Sequence, residues 1–173
     1  MSLEPSSLRV TDPGIRALFA QESRWQSWLD VEAALALTQG EMGIIPADAA
    51  EVIASKSRLE LLDADAIGEG LLRTAHPLVP LVWELARVCG AQAGGFVHWG
   101  ATTQNILETG DSLLLRRAHY ILLSQFATAF GSLSALAERS AEMPMAGRTH
   151  GQHAVPITFG YKVAVWIDEL SRS

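Results

Sequence analysis

The sequence predicts an all-α fold, and three observations carry that prediction. Apolar residues recur near a 3.6-residue period through most of the chain. Proline and glycine fall between these periodic runs rather than within them. No stretch alternates polar and apolar residues as a half-buried strand does, so no strand is expected. The 173 residues suffice for one domain with its own core and part of another. The predicted division is an N-terminal helical domain over 1–100 and the start of a helical-bundle domain over 101–173.

Asp12-Pro13 offers an N-cap followed by proline at the first helical position. Ile15, Leu18, Phe19, Trp25, Trp28, Leu29, Val31, Ala34 and Leu37 then continue the helical period, and Gly43 supplies a stop. Pro46 opens a second helix running to about Ser55, and Asp63 caps a third that ends near Arg73. A fourth follows His76-Pro77, carries Leu78, Val79, Leu81, Val82, Leu85 and Val88, and stops at Gly90. Gly94 to Thr103 is too rich in glycine for a helix interior. From Thr103 to Glu142 there is no proline, and Leu115, Leu122, Phe126, Ala129, Leu133 and Leu136 form an a/d-like seam. At 1.5 Å per residue this helix would run about 60 Å, more than a small domain can bury, so a larger bundle is expected to share it. Met143 to Pro156 reads as a second irregular stretch. A last helix begins near Ile157, carries Phe159, Val163, Trp166, Ile167 and Leu170, and reaches Ser173 with no stop signal, as if cut in mid-helix.

Composition excludes some functions. The formal charge is −6 with only two lysines, Lys56 and Lys162, and Arg116-Arg117 is the only adjacent basic pair. That is no footprint for nucleic acid. No run approaches the roughly 20 uninterrupted apolar residues of a membrane helix, and Met1 to Pro5 lacks the features of a signal peptide. A cytoplasmic location, with neither membrane nor nucleic-acid partners, is therefore expected. Cys89 is the sole cysteine, which excludes an internal disulfide framework and reads as a small core residue.

Chemistry concentrates in two loops. The first, Val97 to Asn105, places His98, Thr102, Thr103, Gln104 and Asn105 at the start of the long helix. Helix N-termini carry free N–H groups and partial positive charge and so attract carboxylates; alternatively, Thr102 or Thr103 simply caps the helix. The second, Met145 to Pro156, holds Arg148, which can grip a carboxylate with two prongs, and His150, which can exchange a proton near neutral pH. His150 and His153 have an i, i+3 spacing, but no third ligand stands nearby, so no metal is expected. His76, before Pro77, fits capping and binding equally well, and His119 reads as structural or solvated.

His98-Trp99-Gly100-Ala101-Thr102-Thr103-Gln104-Asn105 resembles the first conserved region, His-x-Gly-x-Thr-Ser-x-Asp, of the fumarase/aspartase lyase superfamily. Arg148-Thr149-His150-Gly151-Gln152-His153-Ala154 resembles the second region in its adenylosuccinate-lyase-like form. Trp28-Leu29-Asp30-Val31-Glu32 and Gly43-Ile44-Ile45-Pro46-Ala47 resemble the N-terminal helices of that branch. His98 to Thr102 and His76 to Val82 look most like the 3-carboxy-cis,cis-muconate cycloisomerase branch. Leu8-Arg9-Val10-Thr11 offers an arginine without the tyrosine that adenylosuccinate lyases pair with it for a nucleotide phosphate.

The resemblance implies a fold, the start of a central helical bundle, and a mechanism. A base removes a proton beside a carboxylate, an aci-carboxylate intermediate forms, and an acid protonates the leaving oxygen or nitrogen. It implies His150 as general acid and His98 as a catalytic residue acting on the substrate carboxylate. Thr102, Thr103, Thr149, Gln152, Arg148 and His76 are the implied substrate-binding residues, for a small polycarboxylate, with no cofactor and no metal. It implies a homo-oligomer, a homotetramer in which three subunits build each site. The resemblance favours reversible lactonisation in aromatic catabolism (the β-ketoadipate pathway). An elimination releasing fumarate is one alternative and a non-catalytic helical scaffold another. Two departures stand out. Thr103 replaces the usual serine and keeps the hydroxyl, while Asn105 replaces the usual aspartate and removes a charge. The family's third region, Gly-Ser-Ser-x-Met-Pro-x-Lys-x-Asn-Pro, carries the serine regarded as the base. Ser140-Ala141-Glu142-Met143-Pro144 is only a superficial echo of it, so these 173 residues alone are expected to be inactive.

Overall fold

A computed structural model describes residues 11–172; Arg9 and its neighbours 8 and 10 lie outside them. The described residues fall into two compact units, one ending at His119 and one beginning at Tyr120.

In the first unit, Asp12 acts as the sequence suggests: its carboxylate accepts from the N–H groups of Gly14, Ile15 and Arg16 at 3.1–3.3 Å. The helix it starts, α1 (Ile15–Leu18), lasts one turn. Ala20 then turns extended, with ψ 155°, and α2 (Gln21–Glu41) begins afresh. The single helix expected from Asp12 is thus two. Gly43, at φ +69°, closes the segment, and α3 (Ala47–Lys56) follows. After a short 3-10 turn at Leu59–Leu61, Asp63 caps α4 (Ala64–Thr74) by accepting from the N–H groups of Asp65 and Ala66. In the segment α5 (Val79–Gly94) the helix from Val79 stops at Gly90, as expected. At φ 76°, ψ 175° the glycine makes a kink that a side chain would resist, and a further turn forms beyond it.

The core of this unit gathers Trp25, Trp28 and Leu29 of α2, Ile53 of α3, Ile67 of α4 and Leu81 and Leu85 of α5, together with Leu78 and Ile106. Each fully buried aliphatic side chain here contributes about 1.5–3 kcal/mol. Glu84, on α5, is buried among them. Its carboxylate accepts from the Asp63 N–H at 3.0 Å and from the Arg87 guanidinium at 2.5 and 2.8 Å, tying α5 to the start of α4. Burial pushes the Cys89 thiol up, against a weaker pull from Lys56, which keeps it a thiol.

The long helix, α6 (Thr103–Arg139), contributes its N-terminal turns to the first unit, where Ile106, Gly110, Leu114 and Ala118 are buried. Packing here is tight: a Cβ on Gly110 would lie 2.4 Å from Cδ1 of Trp28.

The second unit contains the rest of α6, then strands β1 (Pro144–Thr149) and β2 (Gln152–Thr158) and helix α7 (Phe159–Ser171). The hairpin corrects the expectation of an irregular stretch with no strand. β1 and β2 pair antiparallel from Pro144↔Thr158 to Thr149↔Gln152, with a bulge between Ala146 and Arg148. A two-stranded sheet has two edges, so Pro144 and Pro156 are tolerated where a central strand would reject them. The alternation that betrays a strand is absent because β2 is mostly exposed. α7 docks by its first turn: the N–H groups of Phe159 and Gly160 donate to the carbonyls of Met143 and Ser140, both at 2.9 Å. The Thr158 hydroxyl caps α7 by accepting from the Tyr161 N–H at 3.2 Å.

Candidate active site

The first loop is fixed by α2. Glu32 and Gln39 lie seven residues apart, two turns on one helix face, and both reach the loop. Gln39 Nε2 donates to the carbonyl of Trp99 at 2.8 Å. Glu32 Oε1 lies 2.6 Å from His98 Nδ1, with the glutamate side chain 1% exposed and the histidine 15%. His98 and Gly100 both have positive φ, 59° and 64°, a conformation uncommon for a non-glycine residue. Phe96 and Trp99 pack ring to ring at 5.7 Å. The loop is therefore held at its backbone, at its histidine and at its aromatic flank.

Thr102 and Thr103 sit where the loop enters α6, and the Asn105 N–H donates to the Thr102 carbonyl at 3.0 Å. Among the described residues no hydrogen bond engages either hydroxyl, so neither threonine caps the helix with its side chain. Both hydroxyls are free beside the positive end of a 37-residue helix. Asn105 lines an open groove of about 430 Å³ with Val31, Thr38, Ala101 and Thr109.

The two readings of His76 resolve in part. Its Nδ1 accepts from the N–H groups of Leu78 and Val79 at 3.2 and 3.3 Å, which caps α5. In this role the neutral ring carries its proton on Nε2, which remains available as a donor.

The second loop is the tip of the hairpin. His150 and Gly151 are the two turn residues, with φ 46° and 76°; positive φ at both is the signature of a type I′ turn. Arg148 pairs with His153 and Thr149 with Gln152 across the strands, so Arg148, Thr149, His150 and Gln152 lie within five consecutive positions, 148–152, at the exposed end. Arg148 also lines a groove of about 290 Å³ with Tyr161, Lys162, Trp166 and Glu169, where the Lys162 ammonium lies 5.6 Å from the Trp166 ring centre. Ser140, the echo of the family's serine region, is buried, and its hydroxyl donates to the Leu136 carbonyl at 2.5 Å. It is occupied by the last turn of α6. Among the described residues no group of three or more His, Cys, Asp or Glu side chains is placed to hold a metal ion.

Sequence reasoning gathered most of the polar residues of the two loops but missed Glu32. Its signal was available. Glu32 falls four residues after Trp28 and four before Ala36, within the stripe that α2 buries. A carboxylate in a core position calls for a buried partner.

Residues 8–173 match a family model described as a lyase. The chain is 41% identical over 172 residues to an adenylosuccinate lyase of Methanothermobacter thermautotrophicus, covering 99% of this chain and 38% of that protein. It is 44% identical over 158 residues to an N-acetyl-S-(2-succino)cysteine lyase of Enterococcus italicus, covering 91% of this chain and 34% of that one. Among solved structures, the 3-carboxy-cis,cis-muconate lactonizing enzyme of Pseudomonas putida superposes with a TM-score of 0.88 at 33% identity, over 98% of this chain and 39% of the other. The chain thus spans a little over a third of the length of these relatives. With a family match over nearly its whole length, the chain belongs to the fumarase/aspartase lyase superfamily.

Proposed function

We propose that this chain supplies two substrate-binding loops to an enzyme that makes or breaks a carbon–heteroatom bond beside a carboxylate. One observation carries the reading. Two free threonine hydroxyls stand at the N-terminus of α6 beside a histidine that a buried carboxylate holds in place. Removing a weakly acidic proton next to a carboxylate requires aimed donors where charge develops, and this is such a set.

In the proposed chemistry His98, Thr102 and Thr103 receive the substrate carboxylate whose α-carbon loses its proton. His150, at the tip of the hairpin, gives a proton to the departing heteroatom, with Arg148, Thr149 and Gln152 holding the rest of a small polycarboxylate. His76 assists as an Nε2–H donor. The base is the serine of a third region, which residues 1–173 do not contain. The working site is therefore completed by further chain and by other copies, in a homo-oligomer acting in the cytoplasm without a cofactor.

For the substrate, the lactonising reading leads. The His98-Trp99-Gly100-Ala101-Thr102 motif supports it, as does the superposition on a muconate lactonizing enzyme over 98% of the chain. A second reading, elimination of an amine or thiol from a substituted succinate, is favoured by identities of 41% and 44% to lyases of that kind. An ultraviolet assay separates the two. The protein made from the complete gene is expected to consume 3-carboxymuconate faster than adenylosuccinate or N-acetyl-S-(2-succino)cysteine. The reverse order would establish the second reading. Residues 1–173 alone are expected to turn over none of the three. No turnover by the complete protein would sink both readings in favour of a scaffold.

A further inference from the structure

Glu32 is an expensive residue where it stands. Trp25, Trp28, Leu29 and Ala36 share its buried stripe on α2, and a leucine there would simply extend the core. The carboxylate is 1% exposed, and Oε1 meets His98 Nδ1 at 2.6 Å. Oε2 has no hydrogen-bond partner among the described residues. A buried carboxylate with one oxygen orphaned weakens a fold. His98 adds a second cost, a left-handed backbone at φ 59°. Neither feature stabilises the unit, yet together they fix one imidazole ring.

We propose that Glu32 is the positioning residue of His98, holding the ring's proton on Nδ1 so that Nε2 is the nitrogen left for the substrate. A carboxylate can only accept, so at 2.6 Å the proton between the two groups belongs to Nδ1. Nε2 is then bare in the neutral ring and a charged donor in the imidazolium, with Glu32 behind it as counter-charge. The ring keeps one orientation in both states, as a histidine does when an acid holds its far nitrogen. His76 is set the opposite way by different neighbours: two backbone N–H groups claim its Nδ1 and force the proton of the neutral ring onto Nε2. His98 and His76 are thus held in opposite tautomers. The tautomer assignment stands on geometry alone; its use on a carboxylate rests on the proposed function.

The test uses the complete protein with ¹⁵N-labelled histidine, His98 being identified by the signals lost in His98→Gln. The wild type is expected to show a protonated Nδ1 and a bare Nε2 for the neutral ring of His98. Glu32→Leu should melt no lower than the wild type, because it removes an orphaned oxygen from the core. It should nevertheless move the proton of His98 toward Nε2 and weaken binding of fumarate, used as the probe, at least tenfold. Glu32→Gln keeps an acceptor oxygen and should keep the tautomer, with fumarate binding within a few-fold of the wild type. This second variant covers the case in which the leucine form does not fold. A purely structural glutamate predicts the converse: lower melting in both variants and unchanged His98 signals. A neutral His98 protonated on Nε2 in the wild type, or unmoved in Glu32→Leu, would overturn the proposal. Failure of the wild type to bind fumarate or turn over any polycarboxylate, with the tautomers as described, would count against the lyase reading and leave the positioning role standing.

Discussion

Glu84 shows how one carboxylate can set both a local boundary and a pH response. It receives the Asp63 N–H just before α4 and pairs with Arg87 one turn along α5. The hydrogen bond from Arg87 pulls its pKa below the ordinary 4.5, ahead of burial, which pushes the other way, with the Asp63 N–H adding to the downward pull. A carboxylate whose pKa is lower folded than unfolded adds stability above the unfolded value and loses it as pH falls through the folded one. Glu84→Gln should therefore melt at a lower temperature at pH 7 and show a shallower loss of melting temperature below about pH 4.5. Thermal melts from pH 7 to 3 check this; equal acid slopes for the two forms would contradict it. His150 separates structure from chemistry at a single position. Its φ of 46° is one that asparagine also accepts. His150→Asn should keep the hairpin within about 0.5 kcal/mol while lowering turnover by about 10²–10⁴, the range of a lost general acid. Parallel melting and rate measurements on the complete protein decide it.

At the scale of elements, the helices were legible because their signals are local. Asp63 caps α4 through two N–H groups, Gly43 takes the positive φ that ends the α2 segment, and Thr103 opens a helix with no proline for almost forty residues. What sequence missed depends on partners far along the chain. The hairpin has no alternation to read, its turn is His-Gly rather than the commoner Asn-Gly, and both strands carry a proline. The stop at Gly90 was legible, but not the further turn that follows it. The position of Glu32 in the buried stripe calls for a partner, but that partner, His98, is 66 positions away and local pattern does not name it. The candidate loops were visible as clusters of residue types, while the contact that orders one of them was not. Close packing yields a further test. A Cβ on Gly160 would lie 2.6 Å from the Ala137 carbonyl oxygen and 2.7 Å from Ala141 Cα, both backbone atoms that cannot swing aside. Helix propensity alone favours alanine over glycine by about 1 kcal/mol. The contact should reverse that sign, and Gly160→Ala should destabilise by roughly 1–3 kcal/mol. Denaturant melts read the difference, and a stabilised variant would mean that α7 stands further from α6 than the structure has it.

For the molecule as a whole, the decisive feature is α6 after His119. Leu122, Leu123 and Phe126 are exposed, and Phe126 and Phe130 lie ring to ring at 6.4 Å. An 18-residue window of this helix has a mean hydropathy of 1.3 with none of it buried, long and apolar enough to cross a membrane by length and composition alone. Two environments could cover such a surface, lipid or protein, and the side chains discriminate between them. Leu122, Phe126, Ala129, Leu133 and Leu136 keep the four-and-three spacing of a helix–helix seam. Ser124, Gln125 and Thr128 share the same stretch, and Thr128 and Ser132 satisfy their hydroxyls on α6's own carbonyls. The apolar residues cover a broad face that also takes in Leu123 and Phe130, with Ser124, Gln125, Thr128 and Ser132 on the other side, which fits a bundle better than a lipid-facing span; on the proposed function its partners would be other copies of the chain. The complete protein should therefore sediment as an assembly, and Phe126→Glu, placing an unpaired charge at the seam, should shift it to smaller species. Flotation with neutral lipid vesicles runs as the control. Co-flotation of the wild type, or sedimentation of both forms as monomers, would show that the seam does not join copies of this chain.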